Sequence, residues 1–511
     1  MQNWIHKVNL NKKIIVKYVV AIVIYLLVTM SAEVLIGQKI SNIYGGLLIH
    51  IFVVCVYIAI WVRKNVYKYA HIYVFALILL SGVVQIVSSP PVVGISWDDE
   101  IHYIRTAYLS WGVNGKVAPA DMELYQHYQK VIYERKEYSS KGREKWIKYI
   151  DEYHEENSEL IESGLTFSKE FVAYIPSAIG LAIGHLFGMT FTHTFMLGKF
   201  LSLLCYAYII SLAIKLLDRG KLLAAVIAMF PTNIFLAASY SYDWWITCLV
   251  MLGYALFLRE IQSERKITIK RLVLILGIMI LALLPKAVYF LLLAPMMFFK
   301  EERYENPKIC RLMVAGAMVI LLLSFILPML FAGSAGGDLR GGSDVDGTGQ
   351  IKFILSHPFA YVGIVGRFLL KYLSPDTAGD FMTFYAYMGR GSFHTMTLPL
   401  LAAACILDNN AKPVDKKENI WVTVTGTLAV TGSIVLVVTA MYVAFTPVGS
   451  GTVNGCQPRY LTPIVFPALY LLTKMQITVP KRIKENVLLI STFVLMCVYL
   501  YNLRELCMLR M

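Results

Sequence analysis

Apolar runs near twenty residues long recur along the chain, and short polar segments separate them. A helix needs about 20 predominantly apolar residues to cross the hydrocarbon core of a bilayer. The pattern therefore predicts an all-α, polytopic membrane protein with about thirteen transmembrane helices. We expect these spans near residues 14–36, 44–62, 70–88, 195–217, 222–239, 244–259, 272–284, 287–299, 312–331, 395–408, 420–445, 461–474 and 487–502.

Basic residues at the ends of these runs predict the orientation of the chain. Lysine and arginine cluster at residues 7–13, 63–68, 219–221, 259–271, 300–311, 412–417 and 481–484. Cytoplasmic loops of membrane proteins carry an excess of these two residues. Placing every cluster in the cytoplasm gives a cytoplasmic amino terminus. The usage rich in lysine and isoleucine is typical of a bacterium with an AT-rich genome, so we expect a multi-pass protein of a bacterial plasma membrane.

The apolar stretch FVAYIPSAIGLAIGHLFGM at residues 171–189 is an exception to this pattern. If it crossed the membrane, the later basic loops would all move to the outer face. Pro176 and several glycines also interrupt it as a spanning helix. We therefore predict a helix that lies in the outer interface rather than a span.

This orientation predicts one membrane domain over residues 1–511 with two large outer loops, 89–194 and 332–394. Residues 90–170 carry fifteen acidic and ten basic residues, the reverse of the cytoplasmic loops. We expect amphipathic and interfacial helices in the first loop. The second loop begins with a glycine-rich stretch, and FILSHPFAYVGIVGRFLLKYL then predicts an amphipathic surface helix.

Overall composition excludes some classes of protein. The chain is 57% hydrophobic with a net charge of +14. Its basic residues lie at the ends of apolar runs and form no basic patch interleaved with exposed aromatics. Membrane topology therefore explains the positive net charge, and we expect no nucleic-acid partner. No C-x-x-C pair occurs among the eight cysteines, which argues against a zinc site or a disulfide framework.

The segment ISWDDEIHYIRTAYLSWG follows the third predicted span and concentrates charge at the outer boundary of the membrane. Asp98, His102 and Arg105 share one face of a helix at this spacing. An acid, an imidazole and a guanidinium together suit the deprotonation of a hydroxyl beside a bound phosphate. The alternative is a solvated loop end at which Ser96 or Asp98 caps a helix, and the spacing alone favours that alternative.

Three further charged residues are predicted at the outer ends of spans. Asp243, Lys286 and Arg459 each have an ordinary structural explanation, as an acid at a helix end, a snorkelling lysine and a boundary cation. Together, acids and bases from different helices are what a site for a lipid-linked phosphate needs.

These residues resemble the motifs of a bacterial polytopic family of unknown function, numbered two-one-four-two. Its first outer loop reads Asp-Glu-Pro-x-His, an aromatic residue and then Arg, which resembles Asp98, Asp99, Glu100, His102, Tyr103 and Arg105. Further matching segments follow in order: AYIPSAIGLAIGHLFG, SYSYD with Asp243, LPKAVYF with Lys286, GRGSFHTMTLP with His394, and QPRYLTP with Gln457, Arg459 and Tyr460. Departures from the family pattern occur at Asp99, Glu100, His394 and Pro458.

That family is in turn similar to the GT-C superfamily of integral-membrane glycosyltransferases. The resemblance implies many helices, a functional acid in the first outer loop, and a sugar donor linked to polyprenyl phosphate. As a hypothesis, Asp98 or Asp99 is the general base, and the donor phosphate is bound by Lys286, Arg459 and Arg105. Supporting or acceptor-binding roles are expected for His102, Asp243, Gln457, Tyr460 and His394.

The expected partners are the polyprenyl-phosphate donor, an envelope glycan or lipid acceptor, and membrane lipids. No cofactor is certain, and a divalent cation stays possible because acidic residues recur on the outer side. Other functions stay open: a transporter or scramblase of lipid-linked glycans, a polymerase or ligase of envelope polymers, and a non-catalytic partner of another envelope enzyme. The few charges inside the predicted spans argue against a transport route through the bilayer.

Overall fold

The structure is a computed structural model, and it describes residues 66–89, 91–92, 96–112, 115–124, 127, 140–263, 265–331, 344–374, 376–408, 416–472 and 479–508. The predicted spans 14–36 and 44–62 lie outside the described residues.

The described chain is mostly helical. Its first half contains helices α1 Ala70–Ser88, α2 Asp99–Ser110, α3 Pro119–Met122, α4 Ser140–Glu156, α5 Ile175–Leu186, α6 Phe191–Leu216, α7 Lys221–Ala228, α8 Pro231–Ala237 and α9 Asp243–Gln262. The second half contains α10 Ile269–Leu283, α11 Pro307–Phe331, α12 Gly347–Ser356, α13 Pro358–Tyr372, α14 Leu398–Asp408, α15 Lys416–Phe445, α16 Thr462–Leu472 and α17 Lys481–Asn502. Short 3₁₀ helices lie at Lys169–Tyr174, Ala287–Met297, Glu301–Arg303, Ala386–Met388, Thr395–Thr397 and Pro458–Leu461, and a π-helical turn at Leu503–Met508.

Six helices in the described part of the chain are long and apolar enough to cross a membrane. They are Ala70–Ser88, Phe191–Leu216, Asp243–Gln262, Pro307–Leu327, Ile420–Phe445 and Lys481–Leu506. The number is seven if α12 and α13, which meet at an angle of 107°, form one broken span.

The prediction of about thirteen transmembrane helices is therefore not supported. The predicted spans 272–284, 287–299, 395–408 and 461–474 correspond to helices of 15, 11, 11 and 11 residues. An α-helix of 15 residues is about 22 Å long, shorter than a hydrocarbon core of about 30 Å. An apolar run indicates that a segment leaves water, but it does not tell whether protein or lipid covers it.

A second difference concerns the predicted span 222–239. It is divided into α7 and α8, and Pro231 opens the second of these helices. Proline removes a backbone donor and clashes with the preceding helical turn, so it begins a helix more readily than it continues one. Every residue of α8 is buried, as is every residue of α7 after Lys221. Residues 222–228 and 234–237 belong to the main hydrophobic core.

The segment predicted to be the first outer loop folds around an aromatic core of its own. Trp146 of α4 packs in one cluster with Tyr103 of α2 and with Phe171. The Trp146 indole donates a hydrogen bond of 3.0 Å to the Pro91 carbonyl, which anchors α4 beside the end of α1. The predicted helices are present, but strands β1 (Lys116–Val117) and β2 (Ile161–Glu162) add an antiparallel pair, a small correction to the all-α prediction.

Helix α5 and the 3₁₀ helix before it occupy the stretch that we predicted not to cross. With 12 residues, α5 is about 18 Å long and does not qualify as a span. It packs tightly on α6, because a Cβ at Gly180 would lie 2.7 Å from the Gly198 Cα atom. Only glycine permits this close approach of the two backbones.

The segment predicted to be the second outer loop differs from its prediction in one respect. The expected single amphipathic helix is two helices, α12 and α13, which break at His357 before Pro358. Helix α13 packs on α15 through Tyr361 and Val365. The break follows from proline at the first position of α13, which favours a new helix over a continued one.

Candidate functional site

Asp98 precedes the first residue of α2 and lies at its N-cap position. Its backbone is left-handed, with φ of 55° and ψ of 26°, and its side chain makes no capping hydrogen bond. The capping role that the spacing favoured is therefore not the one that the Asp98 side chain adopts. A left-handed backbone is uncommon for residues other than glycine, although aspartate tolerates it better than most. The side chain is 22% exposed.

Arg459 approaches this carboxylate from a distant part of the sequence. It belongs to the 3₁₀ helix Pro458–Leu461 that leads into α16, and its side chain is only 2% exposed. Its Nη2 atom lies 3.2 Å from Asp98 Oδ2, and its Nη1 atom lies 3.0 Å from Asp243 Oδ2. One buried guanidinium thus joins two carboxylates that come from different helices.

Asp243 and Lys286 complete the group. Asp243 is the first residue of α9, where the positive end of the helix dipole favours a carboxylate. Lys286 follows α10, and its Nζ atom lies 3.9 Å from Asp243 Oδ1. We call Asp98, Asp243, Lys286 and Arg459 the charged cluster. Its two formal negative and two formal positive charges cancel.

Aromatic rings cover the cations of the charged cluster. The Arg459 Cζ atom lies 4.5 Å from the centre of the Trp97 ring. The Lys286 Nζ atom lies 3.4 Å from the centre of the Tyr460 ring, and Arg459 Nη2 lies 3.4 Å from the Tyr460 hydroxyl. Cation–π contacts of this kind strengthen when water is excluded.

Burial and neighbouring charges shift the titration of both cations. Burial lowers the pKa of Lys286 to about 8, and the positive charge of Arg459 adds to this shift while Asp243 opposes it. Burial by itself also lowers the pKa of Arg459, but the Asp243 carboxylate beside it raises that pKa above its usual value on balance. Arg459 therefore stays charged at every physiological pH, whereas Lys286 titrates close to the physiological range.

The three residues expected to share one face of α2 have different partners. Asp98 pairs with Arg459, His102 Nδ1 lies 2.7 Å from the Tyr174 hydroxyl, and Arg105 forms an ion pair with Glu170. A single acid–imidazole–guanidinium face therefore stays a prediction, since Asp98 lies at the N-cap position with a left-handed backbone rather than within the helix. Arg105 and His102 are still linked, since both contact Tyr174.

Asp99 and His394 differ from Asp98 in their burial and their contacts. Asp99 is fully buried, and its charge acts on the neighbouring Tyr240. His394 precedes the 3₁₀ helix Thr395–Thr397, and its carbonyl oxygen lies against Gly379. Within the described part of the chain, none of the contacts of His394 reaches the charged cluster.

Gln457 and Tyr460 flank the charged cluster. Gln457 is the N-cap residue of the 3₁₀ helix that contains Arg459, and its Oε1 atom is buried without a hydrogen-bond partner among the described residues. The Tyr460 carbonyl accepts a hydrogen bond of 2.6 Å from the Tyr289 hydroxyl, which fixes this turn to the neighbouring 3₁₀ helix.

A cavity of about 330 Å³ lies beside the segment that leads to Arg459, and no sequence motif indicated it directly. Arg367 and Lys371 of α13 line it, together with Cys456 and Pro458 immediately before Arg459. Phe384 also lines the cavity and stacks on Trp97, with ring centres 5.7 Å apart. The only sequence signal for this site is the spacing of Arg367 and Lys371, which places two cations on one edge of a helix.

The described residues contain no group of three or more histidine, cysteine, aspartate or glutamate side chains arranged to hold a metal ion. In the charged cluster, the Arg459 guanidinium bridges Asp98 and Asp243.

Comparison with known proteins identifies a family. The chain matches the family described as "Predicted membrane protein (DUF2142)" over residues 79–467, a stretch that includes every residue of the charged cluster. No curated protein and no solved structure matches the chain.

Proposed function

The chain belongs to the DUF2142 family of predicted membrane proteins, and we propose that it is a membrane glycosyltransferase. In this proposal it transfers a sugar from a polyprenyl-phosphate-linked donor to a hydroxyl of a cell-envelope glycan or lipid. The reaction takes place on the outer face of a bacterial plasma membrane. The acidic excess of the first loop and the basic clusters of the opposite loops support this side.

The observation that carries the proposal is the setting of Asp98. Its carboxylate is partly exposed, and a buried arginine from a remote segment of the chain holds it in place. Its backbone adopts a costly left-handed conformation, although its side chain gives nothing to the helix that it precedes. Strain of this kind is maintained only where the surrounding structure requires it, and it concentrates at functional sites.

Asp98 is the general base of the proposed reaction. Its carboxylate accepts the proton of the acceptor hydroxyl, and the acceptor oxygen attacks the anomeric carbon of the sugar. The bond between that carbon and the phosphate oxygen breaks, and polyprenyl phosphate leaves with the electron pair. A single displacement inverts the configuration of the sugar. Asp99 is fully buried, so we assign it a positioning role beneath Asp98.

The cations of the charged cluster stabilise the charge that grows on the leaving phosphate. Lys286 and Arg459 lie in a partly dry environment where a positive charge acts more strongly than in water. Arg459 also orients Asp98, while Asp243 keeps both cations in place. Arg105 contacts Glu170 and Tyr174, and its role is to position His102 and Tyr174 beside the cluster.

The arrangement is similar to the plan of the GT-C glycosyltransferases: many helices, an acid at the start of the first outer loop, and short helices before the next span. Gln457 and Tyr460 lie next to Arg459 and suit binding of the acceptor, and His102 suits orientation of the first loop. His394 lies apart from the cluster, so we assign it no direct contact with the donor. We propose no metal in the reaction step.

The test is a transfer assay with the full chain in proteoliposomes. Radiolabelled polyprenyl-phosphate sugars are offered with envelope extracts, and the glycosylated product is measured. We expect Asp98→Asn to reduce the initial rate by about 10²-fold to 10⁴-fold, the usual contribution of a general base. Asp376→Asn is the matched control, because it removes an exposed carboxylate of the second loop.

Results from cells distinguish the other functions. A strain with Asp98→Asn that loses one sugar from its envelope glycans, at normal protein level, supports transfer. Loss of whole polymers from the cell surface supports a transporter or polymerase instead. Equal product formation by Asp98→Asn and the wild type contradicts the proposed function.

A further inference from the structure

The cavity beside the charged cluster is a distinct feature of the molecule with a chemistry of its own. We propose that it binds the phosphate of a polyprenyl-phosphate-linked donor through Arg367 and Lys371, while the prenyl chain lies along the exposed apolar face of α13. This inference rests on the proposed function and names the residues that would anchor its donor.

The charge balance indicates why the phosphate needs this second site. The charged cluster is formally neutral, because Arg459 is paired with Asp98 and Asp243, and Lys286 is paired with Asp243. A donor phosphate brings a negative charge of its own and gains another when the sugar leaves. Because Lys286 and Arg459 are already paired with carboxylates, further cations are needed beside them to balance this charge.

Arg367 and Lys371 meet that requirement. Both are exposed, and both line the cavity. Asp380 is the acidic residue in the described lining, and it is already paired with Arg390, at 2.6 Å between Asp380 Oδ1 and Arg390 Nε. The cavity wall is thus cationic. Arginine and lysine one helical turn apart are suited to phosphate oxygens.

Helix α13 presents three different faces. Tyr361, Ile364 and Val365 are buried against α15, and Arg367 and Lys371 form an edge at the cavity. A third face is apolar and exposed, and it carries Phe359, Val362, Leu370 and Leu373, with Phe359 92% exposed. Helices that carry cations beside an exposed apolar face lie at the membrane interface, where lipid phosphates are found.

The size of the cavity suits the phosphate headgroup of the donor with its sugar, but not its prenyl chain. Its volume of about 330 Å³ lies at the lower end of the range of roughly 300–1,000 Å³ for small-molecule sites. A phosphate with its attached sugar suits such a volume, but a long isoprenoid does not. The chain must then remain outside, and the apolar face of α13 begins at the edge of the cavity.

The position of the cavity connects the phosphate with the base. Cys456 and Pro458 line the cavity and immediately precede Arg459, the partner of Asp98. Phe384 lines it from another side and stacks on Trp97, next to Asp98 in the chain. The cavity that holds the phosphate and its sugar is therefore connected to the Asp98 carboxylate through its neighbours Trp97 and Arg459.

The experiment measures equilibrium binding of radiolabelled polyprenyl monophosphate to the full chain in phosphatidylcholine nanodiscs. We expect the double variant Arg367→Gln/Lys371→Gln to raise the Kd roughly tenfold or more, because two charge-assisted contacts are lost. Lys352→Gln is the matched control, since it removes an exposed cation of the neighbouring helix α12 that does not line the cavity. The charge-conserving variant Arg367→Lys/Lys371→Arg should bind far better than Arg367→Gln/Lys371→Gln, because it keeps both positive charges at positions that tolerate substitution.

Competitors identify the ligand. Polyprenol, which has the chain but no phosphate, and inorganic phosphate, which has no chain, should each compete far less well than polyprenyl phosphate. Equal Kd values for Arg367→Gln/Lys371→Gln and Lys352→Gln would overturn the inference, and so would competition by either fragment as strong as by the whole lipid.

Failure of this inference is distinguishable from failure of the proposed function. Asp98→Asn should bind polyprenyl phosphate normally and yet transfer no sugar. A wild type that binds the lipid through Arg367 and Lys371 but forms no product contradicts the transferase and leaves the binding site intact. If the Arg367→Gln/Lys371→Gln variant transfers sugar as fast as the wild type, the proposed binding site is contradicted but the proposed function is not.

Discussion

The Arg459 guanidinium lies 3.2 Å from the Asp98 carboxylate, although 361 positions of the sequence separate the two residues. The contact joins the N-terminal end of α2 to the 3₁₀ helix that precedes α16. Because Arg459 is almost fully buried and Asp98 is partly exposed, the arginine is the fixed member of the pair and the carboxylate is the accessible one. The stability and the reactivity of the charged cluster both depend on this relationship.

Removing Arg459 should destabilise the protein strongly. Arg459→Gln leaves Asp98 without this partner and leaves Asp243 with Lys286 alone, and breaking a buried ion pair costs about 3–5 kcal/mol. The measurement is thermal unfolding in detergent. Arg459→Gln/Asp243→Asn should recover part of the loss. Lys148→Ala, which breaks the exposed pair with Glu152, should change the unfolding midpoint little, and an equal effect of both substitutions would contradict this account.

The titration of Lys286 predicts an alkaline limit to activity. Its pKa of about 8 means that the side chain is charged below that pH and neutral above it. The kcat/KM of transfer should therefore fall as pH rises through about 8, since this parameter reports the free enzyme. Lys286→Arg should move the limit to higher pH, because a guanidinium stays protonated. Lys352→Arg should leave the profile unchanged.

The lowered pKa of Lys286 has the opposite effect on stability, which should rise with pH where activity falls. Below pH 8 Lys286 is charged in both the folded and the unfolded chain, so its burial costs the folded state in full. Between about 8 and the higher pKa of the unfolded chain, the folded protein releases its proton first, and stability should rise with pH. For the activity prediction, a wild-type kcat/KM that stays constant to pH 10 would contradict the role of charged Lys286 in transfer.

The left-handed backbone of Asp98 predicts a ranking of substitutions. Asp98→Gly and Asp98→Val both remove the carboxylate and its contact with Arg459. Only valine adds the cost of a left-handed conformation for a β-branched residue, about 1–2 kcal/mol. Thermal unfolding should therefore place Asp98→Val below Asp98→Gly. Equal stability of the two variants would mean that the backbone is not left-handed at this position.

Close packing of α5 on α6 predicts a local steric effect. A Cβ at Gly180 would meet the Gly198 Cα atom and the Leu197 carbonyl oxygen at 2.7 Å, and both are backbone atoms that cannot rotate away. Gly180→Ala should cost about 1–3 kcal/mol. Gly316→Ala in α11 is the control, since a Cβ there meets nothing within 4 Å. That control should be neutral or slightly stabilising, because alanine favours a helix.

A cysteine-labelling experiment tests the predicted orientation of the chain in the membrane. Asp376 and Lys266 are both exposed, Asp376 in the loop that follows α13 and Lys266 between α9 and α10. Cysteine placed at 376 should react with an impermeant maleimide in intact cells, whereas cysteine at 266 should react only after the membrane is opened. The reverse pattern would put the charged cluster on the cytoplasmic side.

The local sequence was sufficient for much of the secondary structure. Apolar runs predicted the long helices at 70–88, 420–445 and 487–502. The charge pattern predicted that residues 171–189 do not cross the membrane, and the α-helix found there has only 12 residues. Runs shorter than a bilayer were assigned as spans as well, because hydrophobicity reports removal from water and not the identity of the new neighbour. Pro231 and Pro358 were the available signals for the two helices that break.

The sequence by itself determined which residues have the chemistry of a site: Asp98, Asp243, Lys286 and Arg459 stand out as charges at the ends of apolar runs. Only the tertiary structure decided their partners. Asp98 has a left-handed backbone and pairs with Arg459, Asp99 is buried, and Arg105 pairs with Glu170. The cationic cavity at Arg367 and Lys371 likewise exists only once distant segments pack. Helical periodicity fixes which residues are neighbours within one helix, whereas contacts between helices depend on packing that no local pattern encodes.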